Sequence, residues 1–383
     1  MGIAGWAIAF CGIATVIHLV SILIAARRCR RPRGQMSAPL PPVSLIIPVC
    51  GIEKFTATTL AASFAIAHPN YEILFCVARG DDPVVPLVRG LIARHAGLHA
   101  RLLIGDSHVS ANPKLNNVVK GWEAARHRWI VIADCNALLP PDALRRLLGR
   151  WRHDTGLVCS MPIGARPAGF WADVECAFLN TLQARYQYGS EAVGSGFAQG
   201  KVMLFDRDLV GPVGGIQALA AETAEDAATT KLIRELGRHV HLVDRPFEQP
   251  LGERTAGAVW SRQLRWARLR RISFPLVFLP EIMVGSALPG VALALAAWHL
   301  NVDIAGAVGL LLVTWFGAEA GMAVLLGWHF PARMLLALLV RDLVLPVLFV
   351  AAWSGRDFVW RGHAMRATPA AGPPAQHPAT QEA

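Results

Sequence analysis

Two arginines and a tryptophan within Ser261-Arg262-Gln263-Leu264-Arg265-Trp266 offer the most pointed chemistry in this chain. On a helix, Arg262, Arg265 and Trp266 fall at i, i+3 and i+4, so two guanidiniums and an indole share one face. Fixed cations beside a flat ring suit a phosphate-bearing ligand, because the guanidinium fork matches phosphate oxygens in pairs. Almost unbroken apolar sequence follows, from about 275 to 353, which sets that ligand at the surface of a bilayer. The same face would equally serve a basic juxtamembrane helix that touches only anionic lipid headgroups. Spacing alone does not separate the two.

Carboxylates form the second set of candidates. Asp81, Asp82 and Asp134 each follow a short apolar run, and Glu225 and Asp226 open a helical stretch. Acids just past strand ends stand where ligands bind in open α/β sheets, although Asp also favours plain turns. Acids at a helix start also complement the helix dipole, so an ordinary capping role stays open for Glu225 and Asp226. Lys114, Asn116 and Asn117 lie where Asn112-Pro113 opens another helix. The stretch 189–200, ending at Gly200, is rich in glycine and serine and reads as a mobile or substrate-lining loop.

The elements that must position these groups follow from periodicity. Runs at 43–49 and 71–77 read as buried parallel strands, with further strands at 100–104, from Trp129 into Asp134, and at 156–162, 202–205 and 240–243. Helical stretches at 84–95, 170–188 and from Glu225 to 236 alternate with them. That alternation predicts an α/β domain with a mostly parallel sheet.

Composition sets the setting. Hydrophobic residues make up 54% and charged residues 17%, too apolar for an ordinary soluble domain. The net charge of +10 is concentrated at Arg27, Arg28, Arg30, Arg31 and Arg33 and again at 262–271. Both clusters abut apolar stretches and read as cytoplasmic membrane flanks, with no nucleic-acid partner expected. Residues 2–26 are apolar apart from His18 and long enough to span a bilayer. A signal peptide is disfavoured, since no charged region precedes this stretch and five arginines follow. The expected order is an N-terminal transmembrane helix (1–26), a basic linker (27–40), a cytoplasmic catalytic domain (41–254) and an amphipathic interface helix (255–275). Membrane segments (276–353) and a partly disordered tail (354–383) complete it. The localisation is integral membrane, the inner membrane if the source is bacterial. The seven cysteines contain no CxxC pair and read as reduced, buried thiols. Segments near 276–299 and 304–327 form a hairpin. The last segment, 334–353, carries Arg341, Asp342 and Pro346 and is expected to be broken or re-entrant, leaving Trp360 and Arg361 on the cytoplasmic side.

Taken together, Asp81-Asp82-Pro83, Pro113 to Asn117, Asp134, Glu225-Asp226 and Arg262 to Trp266 resemble the ceramide glucosyltransferase family, a membrane-bound branch of the family 2 nucleotide-sugar glycosyltransferases. The similarity runs from about 41 to 366. Each motif is weak alone; five in order, flanked by membrane segments, are specific. The resemblance implies a GT-A-like domain that binds a UDP-sugar through Asp82, Asp81, Lys114, Asn116, Asn117, Arg262, Arg265 and Trp266. It implies a divalent metal, Mg²⁺ or Mn²⁺, on Asp134, where the chain reads Asp134-Cys135-Asn136 and lacks the second acid of the wider family's Asp-x-Asp. Asp226 would be the general base, with Glu225 beside it as next candidate, and one base on one face implies inversion. A membrane lipid would be the acceptor, held by Gln183, Arg185, Tyr186 and Gly200. Ceramide enzymes have His-Pro-Arg-Tyr where this chain has Gln183-Ala184-Arg185-Tyr186, so the acceptor pocket departs from theirs. Ceramide or a similar lipid alcohol leads, with hopanoid or diacylglycerol acceptors as alternatives. A processive polysaccharide synthase shares the arginine–tryptophan motif but needs more membrane segments for a channel. A non-catalytic scaffold would not need the acids, all of which are present.

Overall fold

The computed structural model describes residues 2–30, 39–360 and 363–368. In chain order the strands before the apolar region are β1 (Val43–Pro48), β2 (Tyr71–Val77), β3 (Ala100–Ile104), β4 (Trp129–Ala133), β5 (Thr155–Ser160), β6 (Pro162–Ala168), β7 (Val202–Asp206), β8 (His239–Leu242) and β9 (Phe247–Glu253). Seven of them make one sheet in the order β3-β2-β1-β4-β7-β5-β8. β1 pairs in parallel with both β2 and β4, while β7 runs antiparallel between β4 and β5. The two-residue period sends Ile46, Leu74, Cys76, Ile130 and Ile132 to one face. Leu45, Ile47, Ile73, Phe75 and Val131 go to the other. Both faces are covered, which is why β1 and β2 read as unbroken apolar runs.

Chain order reverses around β1, so a crevice opens at the carboxyl ends of β1 and β4. The helix Pro113–Ala124 lies against that crevice because of Gly121: a Cβ there would sit 2.6 Å from Cys76 Sγ and 2.7 Å from an Ile46 methyl. β6 and β9 form a separate parallel pair, from Pro162↔Phe247 to Ala168↔Glu253. Pro167, Pro250 and Gly252 hide this pair in the sequence, since they break the apolar run that marks a strand.

Among the described residues, three helices are long and apolar enough to cross a membrane: Ile3–Arg30, Ile304–Leu325 and Met334–Trp353. A fourth segment is a bent pair, Pro275–Met283 and Ala287–His299, meeting at 47°. The break therefore falls two segments earlier than expected, in the first apolar segment after the sheet domain. Met334–Trp353 is a continuous helix with Pro346 inside it. Its charges are paired: Arg341 lies 2.9 Å from Glu319 and 2.6 Å from Asp342, and it donates to Thr181 Oγ1 at 2.5 Å. Asp342 Oδ2 accepts the Ser286 N–H at 2.7 Å and its hydroxyl at 2.8 Å. Pairing removes the cost that argued for a break.

Both ends of this helix touch the rest of the protein. Arg333 pairs with Asp173 at the start, and Arg268 donates to Ser354 O at 2.8 Å at the end. The chain beyond it is not simply an unstructured tail. β10 (Asp357–Trp360) and β11 (His363–Arg366) form an antiparallel hairpin. Thr223 Oγ1 donates to Arg366 O at 3.1 Å, and the Thr368 N–H donates to Thr223 Oγ1 at 3.0 Å. The segment after the hairpin thus lies on the same side as the sheet domain. Arg361 and the side chain of Trp360 fall outside the described residues. The cysteines also differ in part from expectation: Cys50 is exposed and Cys135 half-buried, while the other five are buried.

Candidate active site

The centre of the crevice is one ammonium. Asn112 caps the helix Pro113–Ala124, its Oδ1 accepting the Lys114 N–H at 2.9 Å and the Leu115 N–H at 3.3 Å. Lys114 Nζ then reaches Asp134 at 2.7 Å, Glu225 at 2.8 Å and the Gly200 carbonyl at 2.6 Å. Asn112 Nδ2 holds the second oxygen of Glu225 at 2.7 Å. Three separate stretches, around Asp134, Gly200 and Glu225, therefore converge on Lys114. Its two carboxylates raise this ammonium well above the usual lysine range, although burial opposes them.

Asp134 follows the last residue of β4, and across from it stands Lys201. The antiparallel register Ala133↔Val202 sets Lys201 beside Asp134, whose N–H donates to Lys201 O at 2.8 Å. Lys201 Nζ lies 2.8 Å from Asp134 Oδ2 and 3.1 Å from Asn136 Oδ1. Burial pushes the Asp134 carboxyl up, but the two ammoniums outweigh it and hold the group well below the usual range. Lys201 was missed by the sequence reading, because only the β4–β7 pairing reveals it. Among the described residues no three His, Cys, Asp or Glu side chains gather as a metal cage.

Asp226 has the opposite electrostatics. Burial, then the adjacent Glu225 charge, push its carboxyl up to about 6, and Lys114 only partly compensates. Its oxygens accept the Ala227 N–H at 2.9 Å and the Gly200 N–H at 3.3 Å. Gly200 is packed into this group: a Cβ there would lie 3.0 Å from Glu225 Oε1 and 3.6 Å from Asp226 Oδ2. Two carboxylates in one crevice are thus driven apart, one firmly ionised and one poised near neutral pH. That is the arrangement acid–base chemistry uses.

The other candidates divide. Asp82 sits at the β2 end of the crevice, where its carboxylate accepts the Gly51 N–H at 3.0 Å and the Val84 N–H at 2.9 Å. It ties the loop after β1 to the start of the helix Val84–Arg94. Asp81 is exposed and paired with Arg79 at 2.6 Å, outside the Lys114 cluster. Asn117 Nδ2 donates to Cys76 O at 2.7 Å, and Asn116 closes on Ser110 in both directions at 2.9 Å. Both asparagines are buried and engage the backbone that shapes the crevice.

Arg262, Arg265 and Trp266 lie on the helix Ala256–Ser273, with the Arg262 guanidinium 5.4 Å from the Trp266 ring centre. Arg262 is paired with buried Glu175, which also meets Arg254 at 3.4 Å. The far end of this helix approaches Asp226. The Arg270 guanidinium is lowered by burial, but Glu281 at 2.7 Å and the Asp226 charge give a net rise. Lys231, on the helix that Asp226 opens, lies 5.3 Å over the Phe274 ring. Gln183 reaches the same basic helix, its amide donating to Gln263 Oε1 at 3.2 Å.

Arg185 is fully buried. It donates to Thr181 O and Ser21 Oγ at 3.0 Å each, lies 3.6 Å from Glu319 and sits 4.4 Å from the Tyr186 ring centre. It therefore locks the helix carrying Gln183 and Tyr186 to two membrane helices, a role invisible before the fold is known.

Comparison with known proteins agrees with this architecture. Ceramide glucosyltransferase 1 of Caenorhabditis elegans is 23% identical over 92% of this chain and 77% of its own length. Ceramide glucosyltransferase 3 of the same organism is 23% identical over 95% and 80%. The ceramide glucosyltransferase of Komagataella phaffii is 34% identical over a shorter stretch, 28% of this chain and 23% of its own. Among solved structures, a mannosyltransferase from Pyrobaculum calidifontis in complex with GDP-Man and Mn²⁺ superposes with a TM-score of 0.53. It is 17% identical and covers 89% of this chain and 99% of that one, a likeness of fold. A family model described as glycosyl transferase family 21 matches residues 6–371, nearly the whole described chain. With the GT-A-like sheet and the flanking apolar helices, that match places the chain in glycosyl transferase family 21.

Proposed function

We propose that this membrane glycosyltransferase moves one sugar from a UDP-sugar to the hydroxyl of a lipid acceptor, ceramide or a similar lipid alcohol, with inversion. Family membership and the names of its relatives support the substrate classes. The observation that carries the mechanism is the Asp226 carboxyl held near pH 6 beside the Lys114 cluster.

In this reading Asp226 accepts the proton of the acceptor hydroxyl as that oxygen bonds to the anomeric carbon. The anomeric carbon–oxygen bond to the diphosphate breaks from the opposite face, and UDP leaves with the electron pair. Lys114, Lys201 and the arginines of the basic helix offset the charge that builds on the diphosphate. Asp82 would bind the nucleoside end, and Gln183, Tyr186 and Gly200 would border the acceptor.

A divalent metal fits beside Asp134. Asp134 Oδ2 and Asn136 Oδ1 already share one cation, the Lys201 ammonium, so two hard oxygen donors converge on a point that a metal could take. Mg²⁺ and Mn²⁺ accept such sparse ligation when diphosphate oxygens and water complete the shell. When bound, the ion would neutralise charge on the leaving diphosphate. The sheet domain, roughly 41–254, is proposed to face the cytoplasm, the side favoured by Arg27, Arg28 and Arg30.

The test is to incubate membranes containing the protein with each radiolabelled UDP-sugar and chromatograph the lipid extract. A single-sugar glycolipid is expected. A polymeric product, or no turnover with any UDP-sugar, would overturn the reading.

A further inference from the structure

Away from the catalytic cluster, a cavity of about 470 Å³ opens where the C-terminal ends of two apolar helices meet the loop after β8. Ligand pockets commonly fall in this size range. Its lining includes Arg30, Arg146, Arg245, Glu248, Leu325 and Trp328, and none of Lys114, Asp134, Glu225 or Asp226. Three arginines and one glutamate thus line it. Arg146 is also paired with Asp142 at 2.7 Å, and Arg245 Nε donates to Cys29 O at 3.1 Å, which fixes both side chains at the cavity wall.

The level of the cavity follows from how the two helices run. Cys11 clusters with Leu311 and Trp315, His18 stacks on Trp315 at 3.8 Å, and both helices then end at the cavity, at Arg30 and Leu325. They lie side by side in the same direction, so their carboxyl ends leave the apolar layer together. A tryptophan at such an end is typical of the headgroup level. Arginines grouped there between membrane helices form the kind of basic pocket that recognises anionic lipid headgroups.

We infer that this cavity binds the phosphate of an anionic phospholipid headgroup, with Arg30, Arg146 and Arg245 on the phosphate and Leu325 and Trp328 against the start of the acyl region. The site is separate from donor and acceptor binding. It would anchor the N-terminal helix, the 304–325 helix and the β8–β9 loop to one lipid.

The full chain in neutral detergent serves as the test, with the thermal midpoint followed during titration with dioctanoyl phosphatidylglycerol. The midpoint should rise saturably. Arg30→Gln with Arg245→Gln should weaken the apparent affinity by roughly 25-fold, from about fivefold per arginine. Glu248→Gln, which removes the one carboxylate of the lining, should tighten it. Dioctanoyl phosphatidylcholine and inorganic phosphate at matched concentration should move the midpoint little. An unchanged response in the double arginine variant overturns the proposal, as does an equal response to phosphatidylcholine. If inorganic phosphate reproduces the shift with the same arginine dependence, the site takes a free anion and the lipid assignment is wrong. Should the arginine variant fail to fold, the exposed Glu248→Gln variant decides by sign: unchanged or weaker phosphatidylglycerol binding contradicts the site.

Discussion

Asp134 and Lys201 face each other across an antiparallel strand pair, carboxylate to ammonium at 2.8 Å. Lys114 takes the other Asp134 oxygen at 2.7 Å. Asp134 is thereby fixed as an anion, while Asp226, packed against Gly200 and Glu225, keeps a carboxyl that titrates close to neutrality.

That contrast gives a pH prediction. The base must be ionised to accept a proton, so kcat/KM should fall with unit slope below an apparent pKa of about 6. Glu225→Gln removes the neighbouring charge that helps raise Asp226 and should move this acid limb to lower pH. The profile of each form, measured over pH 4.5 to 8, checks it; an unmoved limb would assign the titration elsewhere.

The same shift bears on stability. Folding raises the Asp226 pKa, so its proton-linked stabilisation is present below the ordinary carboxylate value and is lost as pH rises through about 6. At pH 7.5 the Asp226→Asn variant should therefore melt no lower than wild type, and higher if the amide keeps the Gly200 contact. Thermal unfolding at pH 5 and pH 7.5 checks it, since the advantage should shrink at the lower pH.

Gly200→Ala tests how tightly the crevice is built. The new methyl would lie 3.0 Å from Glu225 Oε1, inside normal contact, and would press on the carboxylates that Lys114 holds. A rate loss on the order of 10- to 100-fold is expected from misplacing the base. Steady-state kinetics should show the loss in kcat; a variant with full kcat would mean that the carboxylates yield without consequence.

The buried cluster of Arg341, Glu319 and Asp342 joins the 304–325 and 334–353 helices. Arg341→Met leaves buried Asp342 without its cation and Glu319 with Arg185 alone, and should destabilise by about 3–5 kcal/mol. Arg341→Met with Glu319→Gln should lose less than the two single changes combined. Unfolding in detergent measures both, and a single-variant cost below about 1 kcal/mol would contradict the pairing.

Much of the sheet was legible because β1, β2 and β4 are short apolar runs that end in turns. β6 and β9 were not, since Pro167, Pro250 and Gly252 interrupt them and their partners lie far apart in sequence. Asp134, Lys114, Glu225 and Asp226 could be singled out from residue type and position, and the fold brings them together. Lys201 could not, because it depends on strand register. The family resemblance put Arg185 at the lipid acceptor, yet it is buried against Ser21 and Glu319 from two distant segments. Pro346 and the charges at 341 and 342 suggested a broken helix because their partners, Glu319, Thr181 and Ser286, are not sequence neighbours.

The central claim is that Asp226 is the base of transfer from a UDP-sugar to a lipid hydroxyl. Turnover and UDP affinity of Asp226→Asn, measured side by side on the same preparation, test it most directly. The account predicts transfer reduced by about 10²–10⁴-fold with UDP affinity nearly unchanged, because the amide keeps the shape but cannot take the proton. Near-normal turnover in Asp226→Asn would contradict it and turn attention to Glu225.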